Sequence, residues 1–541
     1  MRKQPTNDQI DYRARSTVAA SHRSLTLDVP SLLPDRPGRP RVVERVGLAL
    51  LTEAAAGLLL LGVLAAVFLR REATGRRLTA LHLAVLILVL DCALFPAGGT
   101  STGVFVLPIN NRTTGVLFLL MPFMLLVRWL SGRARLRWTA AGLGWLAFFC
   151  WLLVEFLAGR WHGNSGSAAV QEAKVIVMLG GAAMLAAGVD ARDLVGREGI
   201  PRMVRWAAPI ATIVTITSLA GVKSNSSFGL FHGVNTGQMG ADAASVFASL
   251  GMLGLAVALA APDHHRRGLL SAGVLLIAPV FTGQRASLLG LVAGLGLIAV
   301  LPVFSRRHRV LRLLPKEKVA IGLTVLAVAG GLSLAAAAGH GYNLKSSQVA
   351  TSFTSAGKAD SAKSRVNQWK VSGDLIAQKP WVGYGLGKQY LHVEQIEGEP
   401  LFYVHNDLTH DIFLDVLLRS GIVGLFFLLV ALLTSGWAGL RAAYRHVSPR
   451  IGALGLVATA ILVEMATRGA VESIFEKERL AVLLGLAVGI ACSAGRSTRT
   501  KAPTASLVSA PLVVPPEWLP EDEAAGSRPL VHSGLVPQKN T

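Results

Sequence analysis

The feature that most constrains this chain is a series of apolar runs, each roughly 18 to 24 residues long, separated by short basic or Gly/Pro-rich stretches. A helix crosses a bilayer core with about 20 apolar residues. Only 16% of the residues are charged, whereas a soluble domain carries roughly a quarter. The sequence therefore predicts an all-α, polytopic transmembrane helical bundle of about 12 to 13 spans. It excludes an ordinary water-soluble enzyme.

The apolar runs also predict how the chain is organised. A disordered tail, 1–45, precedes an N-terminal group of helices, 46–338, and a long connecting segment, 339–411, precedes the C-terminal helices, 412–495, and a second disordered tail, 496–541. The individual spans are predicted near residues 46–69, 78–95, 113–130, 138–158, 172–188, 205–221, 241–261, 268–283, 286–304, 318–338, 412–435, 451–469 and 478–495.

Basic residues are concentrated in every second connection between the predicted spans. Arginine-rich connections such as 133–137 and 306–318 alternate with connections marked by a single basic residue, such as Arg160 or Arg285. Because cytoplasmic connections carry the excess of Lys and Arg, the alternation predicts a multi-pass membrane protein whose long segment 339–411 lies on the extracytoplasmic face.

The N-terminal topology stays open at this stage. Residues 70–77 and the tail 1–45 are both basic, and a single helix between them cannot place both in the cytoplasm. Either the run 46–69 lies across the membrane interface, or thirteen spans put the N-terminus outside. We favour about twelve spans with both tails cytoplasmic.

The net charge of +21 does not predict a nucleic-acid partner, because the arginines lie in clusters between spans rather than on one amphipathic face. Cys92, Cys150 and Cys492 all lie within apolar runs. They predict neither a disulfide framework nor a zinc site. We predict no cofactor.

The long external segment is expected to carry the chemistry, because about seventy residues exceed what a helix connection requires. Gly383, Gly385 and Gly387 precede Lys388 there. Backbone N–H groups exposed at such glycines can hold a diphosphate, although a plain turn explains the same pattern. Aromatic side chains such as Trp369 suit contacts with sugar rings or with the membrane surface.

Three stretches of this region resemble the O-antigen ligase/polymerase family: Ser364–Trp369, Pro380–Gly387, and His410–Leu414 followed by Gly421–Leu425. His410 stands eleven residues before Gly421, as the family's histidine does, but Asp411 replaces the usual Asn. A second His-Asn pair, His405 and Asn406, leaves open which of the two histidines is the functional one. Residues 282–289, which include Arg285, are similar to another family signature. The resemblance covers about residues 225–430.

The resemblance implies a bundle like that of the C-type glycosyltransferases and a substrate glycan linked to undecaprenyl diphosphate at the outer face of the plasma (inner) membrane. The implied reaction transfers that glycan to a glycan, lipid or protein acceptor. Whether the chain polymerises or ligates stays open, because both reactions use the same donor.

The residues in the family positions suit this reaction. Arg285 and Arg365 can bind a diphosphate through bidentate, charge-assisted hydrogen bonds, although Arg285 could instead reach lipid headgroups. His410, or alternatively His405, can act as general base, because histidine titrates near neutral pH. The alternative for His410 is a structural cap of the next helix, for which Asp411 is the better N-cap.

The predicted substrate-binding residues are His405, Asn406, Gly383, Gly385, Gly387, Lys388 and Trp369. Since the external segment has no D-x-D pair, we expect no metal site and a metal-independent reaction.

A transporter or flippase of lipid-linked glycans is the alternative hypothesis. Carboxylates within apolar runs, at Glu53, Asp91, Glu155 and Glu464, are costly against lipid and are used by transporters for ion coupling. We found no convincing internal repeat or pair of broken helices that would favour this class.

Overall fold

The computed structural model describes residues 79–94, 106–109, 112–115, 125, 139–196, 198–219, 241–260, 265–277, 285–304, 360–394, 402–406, 409–445 and 448–497. The chain divides into two units, 1–58 and 59–541, and all described residues lie in the second. The predicted spans 46–69 and 318–338 and the tail 1–45 lie outside the described residues, as does nearly all of the tail 496–541.

Helices make up most of the described chain. Their bounds are α1 Thr79–Leu94, α2 Ala140–Trp161, α3 Gly166–Ala187, α4 Ala191–Val195, α5 Ile200–Leu219, α6 Ala241–Ala260, α7 His265–Ile277, α8 Arg285–Phe304, α9 Asp360–Gln378, α10 Ile412–Arg445, α11 Pro449–Gly469 and α12 Glu478–Ser497. Among the described residues, five helices are long and apolar enough to cross a membrane, namely α2, α3, α10, α11 and α12. The predicted all-α polytopic bundle is confirmed.

Two short antiparallel hairpins accompany the helices. Strands β1 (Val106–Ile109) and β2 (Arg112–Gly115) pair with each other, as do β3 (Tyr390–Glu394) and β4 (Phe402–Asn406). Because β2 occupies the first residues of the predicted span 113–130, that span cannot begin where the apolar run begins. The predicted external segment contains β3, β4 and the polar helix α9.

Small residues allow the central helices to approach closely. A Cβ added at Gly485 of α12 would lie 2.3 Å from the carbonyl oxygen of Leu179 in α3, and one at Gly489 would lie 2.3 Å from that of Ala183. Membrane helices commonly pack through such small residues, because van der Waals contact replaces the hydrophobic effect there. The α3–α12 pair therefore forms a tightly packed centre of the bundle.

Buried ion pairs gather at one end of the bundle. Arg468, fully buried at the end of α11, lies 2.8 Å from Asp242 at the start of α6 and 2.7 Å from Glu472 beyond α11. Lys477 pairs with both carboxylates. Burial opposes ionisation of Glu472, but the charges of Arg468 and Lys477 outweigh it and lower its pKa to about 2. This cluster therefore ties the ends of α6, α11 and α12 together.

Candidate active site

Two of the predicted site residues, Arg285 and His410, lie at this same end of the bundle, which we call the site end. Gly290 of α8 packs against Glu464 and Arg468 of α11, so Arg285, the first residue of α8, lies at the site end. The N-terminus of α10 lies there too, because its first residue, Ile412, packs against Gly469 at the end of α11.

The glycine turn, residues 380–388, contacts a break in helix α10. Gly421 interrupts α10 with φ 61°, a left-handed conformation that glycine adopts without steric cost. The N–H groups of Ile422 and Val423 donate to the carbonyls of Pro380 and Trp381, at 2.8 and 3.3 Å. In the other direction, the N–H groups of Tyr384 and Gly385 donate to carbonyls of α10, at 3.0 and 2.8 Å. The turn thus satisfies backbone groups on both sides of the break.

The other side of the glycine turn packs against the α2–α3 connection. The side-chain amide of Asn164 donates to the carbonyls of Tyr384 at 2.8 Å and Leu386 at 3.1 Å. The N–H of Leu386 donates to the carbonyl of Glu155 in α2 at 3.1 Å. The glycine turn is therefore held from both flanks by hydrogen bonds to its backbone.

The amides of the three glycines are engaged within the protein. Those of Gly383 and Gly385 donate to backbone carbonyls, and that of Gly387 donates to Glu172 Oε2 at 3.0 Å. This geometry corrects the idea that these N–H groups hold a diphosphate, since none of the three is free. Their positive φ angles, 68°, 80° and 77°, instead allow a compact turn that presents the side chains of Tyr384 and Lys388.

Replacing Gly385 with Ala is expected to destabilise the fold by more than about 1 kcal/mol. The residue has φ 80°, and an added Cβ would lie 2.4 Å from the backbone nitrogen of Gly159. The matched control is Gly373→Ala in α9, where a Cβ meets nothing within 4 Å and helix propensity favours Ala by up to about 1 kcal/mol. Thermal unfolding in detergent should separate the two variants, and equal melting temperatures would contradict this packing.

Arg419 clamps the glycine turn from the interior. Its side chain is 2% exposed, and Nη1 donates to the carbonyl of Lys388 at 2.6 Å. Nη2 lies 3.1 Å from Glu172 and 3.6 Å from Asp415. Since Glu172 also accepts from Gly387, Arg419 and Glu172 fix consecutive backbone groups of the turn. Sequence reasoning missed this clamp.

A basic surface lies beside the clamp. The Nζ atoms of Lys379 and Lys388 each lie 4.9 Å from the centre of the Tyr384 ring, and the Tyr384 hydroxyl donates to Gln378 at 3.0 Å. Cation–π contacts of this kind order flexible lysine side chains. Lys388, a predicted substrate-binding residue, is therefore held in place while its charge stays partly accessible.

Arg365 and Trp369 lie one turn apart on α9, which packs against β3 and α10. Both side chains are half-buried. Among the described residues, no carboxylate pairs with Arg365. An unpaired, half-buried guanidinium is available to an anionic ligand.

His410 lies two residues before the first residue of helix α10. Asp411 caps that helix, because its Oδ1 accepts from the N–H groups of Phe413 at 2.8 Å and Leu414 at 3.1 Å. Burial raises the pKa of Asp411, although these two N–H groups act in the opposite direction. The predicted capping role of Asp411 is confirmed, so the half-buried His410 is not needed as a cap. The other predicted histidine pair lies on β4, where His405 and Asn406 stand opposite Leu391 and Tyr390.

A comparison with protein families identifies this region. Residues 270–429 match the O-antigen ligase family. The match covers 160 of the 541 residues. The match begins in α7, ends in α10 and lies within the predicted region 225–430. No curated protein sequence matches the chain.

The O-antigen ligase match and the apolar helices support, in general terms, a membrane protein that joins glycans and uses a lipid-linked glycan as substrate. The matched region includes Arg285, Arg365, the glycine turn, His410 and Arg419. Glu172, the partner of Arg419, lies outside it. Among the described residues, no group of three His, Cys, Asp or Glu side chains is arranged to hold a metal ion.

Proposed function

We propose that the protein is a glycosyltransferase that polymerises or ligates glycans from an undecaprenyl-diphosphate-linked donor at the extracytoplasmic face of the plasma membrane. The observation that carries the proposal is Arg365, which has no ion-pair partner among the described residues and lies within the O-antigen ligase match, on a helix that packs against α10 and β3. Lys379, just before the glycine turn, and Lys388, at its end, add positive charge. Such cations suit a diphosphate group.

The proposed reaction breaks the bond between the anomeric carbon and the diphosphate oxygen. His410 takes the proton of an acceptor hydroxyl as that oxygen attacks the anomeric carbon. Undecaprenyl diphosphate leaves with the bonding electron pair. Arg365 and Arg285 stabilise the negative charge that develops on the leaving group, the role that preorganised cations have in phosphate chemistry. No metal ion is required by this scheme.

Two features support His410 as the base. It lies beside the N-terminus of α10, whose cap is supplied by Asp411, so the cap of the helix does not require the imidazole. It is also half-buried and therefore able to meet a substrate. His405 remains the second candidate.

The test supplies purified protein in proteoliposomes with undecaprenyl-diphosphate-linked oligosaccharide and a candidate acceptor, and measures the glycan product. Wild type should form longer or transferred glycan, and Arg365→Ala should lower the rate by about 10²-fold, because one preorganised charge is lost. Lys370→Ala, on the exposed side of the same helix, is the matched control and should keep the wild-type rate.

The same vesicles test the transporter hypothesis. The observation in its favour is Glu464, fully buried in α11, whose Oε2 accepts from Ser249 while Oε1 has no hydrogen-bond partner among the described residues. Movement of the lipid-linked glycan across the bilayer without a new glycosidic bond would replace our proposal with transport.

A further inference from the structure

Four side chains form one stripe along α9. Arg365, Gln368, Trp369 and Ser372 are spaced at i, i+3, i+4 and i+7, the spacing that places residues on one helix face. Gln368 is 1% exposed and Ser372 is fully buried. The opposite side of the helix carries exposed residues, including Asn367, Lys370 and Asp374. The stripe therefore faces the interior, where α9 meets β3 and α10.

Three polar atoms of this stripe lack hydrogen-bond partners among the described residues. Gln368 Oε1, Trp369 Nε1 and Ser372 Oγ are buried and make no hydrogen bond with the described part of the chain. Buried polar groups are nearly always paired, because an unpaired one costs about 1–3 kcal/mol. Three such atoms within little more than one helical turn form a cluster of buried, unpaired polar groups. A bound ligand would supply their hydrogen-bond partners.

The chemistry of the stripe indicates the ligand class. An amide, an indole N–H and a hydroxyl are neutral donors and acceptors that match sugar hydroxyls, and an aromatic ring suits the apolar face of a sugar. Arg365 at the N-terminal end of the stripe matches a phosphate. Seven residues of helix extend about 10 Å, which is enough for one or two sugar units beyond the phosphate.

We propose that Gln368, Trp369 and Ser372 form a subsite for the saccharide of the lipid-linked donor, next to Arg365 as the diphosphate contact. This inference rests on the proposed function. It assigns the sugar specificity of the enzyme to the interior face of α9, where the neutral side chains would recognise the positions of the sugar hydroxyls. The diphosphate and the sugar are then recognised by separate parts of one helix.

The experiment measures the affinity of detergent-solubilised protein for two probes, undecaprenyl diphosphate and the same lipid carrying its oligosaccharide. Wild type should bind the glycosylated lipid more tightly. Gln368→Met should weaken that binding roughly five- to tenfold, the loss of one or two hydrogen bonds, and leave the affinity for the bare lipid unchanged. Its melting temperature should equal or exceed that of wild type, because an unpaired buried acceptor is removed. Asn367→Met, which also exchanges an amide for a thioether but on the exposed side of α9, should change neither affinity.

The smaller change Ser372→Ala provides a second variant and should follow the same pattern. The subsite is overturned if Gln368→Met and Ser372→Ala keep the preference for the glycosylated lipid, or if they lower both affinities equally together with the melting temperature, the pattern of a structural role. Wild type that binds both lipids equally well also overturns the subsite but keeps diphosphate recognition. Wild type that binds neither lipid overturns the proposed function itself.

Discussion

The His410→Ala variant is expected to lose about 10²- to 10⁴-fold of the glycan-transfer rate, the range that a positioned general base contributes. Folding should be retained, because Asp411 rather than His410 caps α10. The measurement compares initial rates of glycan transfer at saturating donor, with melting temperature as the check on folding. His405→Ala, which alters the second histidine on β4, should show a smaller loss.

The pH profile separates the base from its neighbours. A general base acts in its neutral form, so the wild-type rate should rise with pH through the range in which histidine titrates and then level off. Asp411 needs its own control, because burial raises the pKa of its carboxyl. Asp411→Asn preserves a good N-cap and removes that titration, so it should keep the rising limb. A His410→Ala variant with an unchanged rising limb would identify another group as the base.

The sequence was sufficient to predict transmembrane helices, because a helix that crosses the lipid core needs about 20 apolar residues. Apolar runs near 138–158, 451–469 and 478–495 correspond closely to α2, α11 and α12. That requirement says nothing about segments outside the membrane. Helix α9 carries polar residues on both its interior and its exposed side, so a search for apolar runs passes over it. Strand β2 extends into the apolar run 113–130. It forms by pairing with β1, and an apolar run does not show which strand it will pair with.

The candidate site was predictable only where residues have local signatures. His410 and Arg365 were found through sequence resemblance, and the three glycines through their spacing. The clamp of Arg419 on Glu172 joins residues far apart in sequence, which no local pattern specifies. A signal was present, since charged residues within predicted spans are costly and need partners. The sequence does not say which charges pair, and the pairing gives Arg419 its role.

The second large effect is expected for Arg419→Met, which should destabilise the protein by about 3–5 kcal/mol. This is the cost of removing one partner of a buried ion pair while the other stays buried. The substitution leaves Glu172 and Asp415 buried without their cation. It also removes the donor to the carbonyl of Lys388, so the glycine turn should loosen and glycan transfer should fall together with stability. Arg445→Met is the matched control, because Arg445 is exposed at the far end of the same helix and has no ion pair among the described residues. It should change the stability by less than about 0.5 kcal/mol.

The origin of the Arg419 effect can be isolated by neutralising its partners. If uncompensated charge dominates, adding Glu172→Gln and Asp415→Asn to Arg419→Met should recover a large part of the lost stability, because neutral amides are far less costly to bury than carboxylates. Glycan transfer should recover less, since Met still cannot donate to Lys388 and the amide at position 172 no longer carries the charge that orders the turn. Thermal unfolding and transfer rates measured on the single and triple variants distinguish the effect of buried charge from the effect of the lost hydrogen bond to Lys388. A triple variant as unstable as Arg419→Met would show that lost packing and the Lys388 hydrogen bond, rather than buried charge, make the clamp essential.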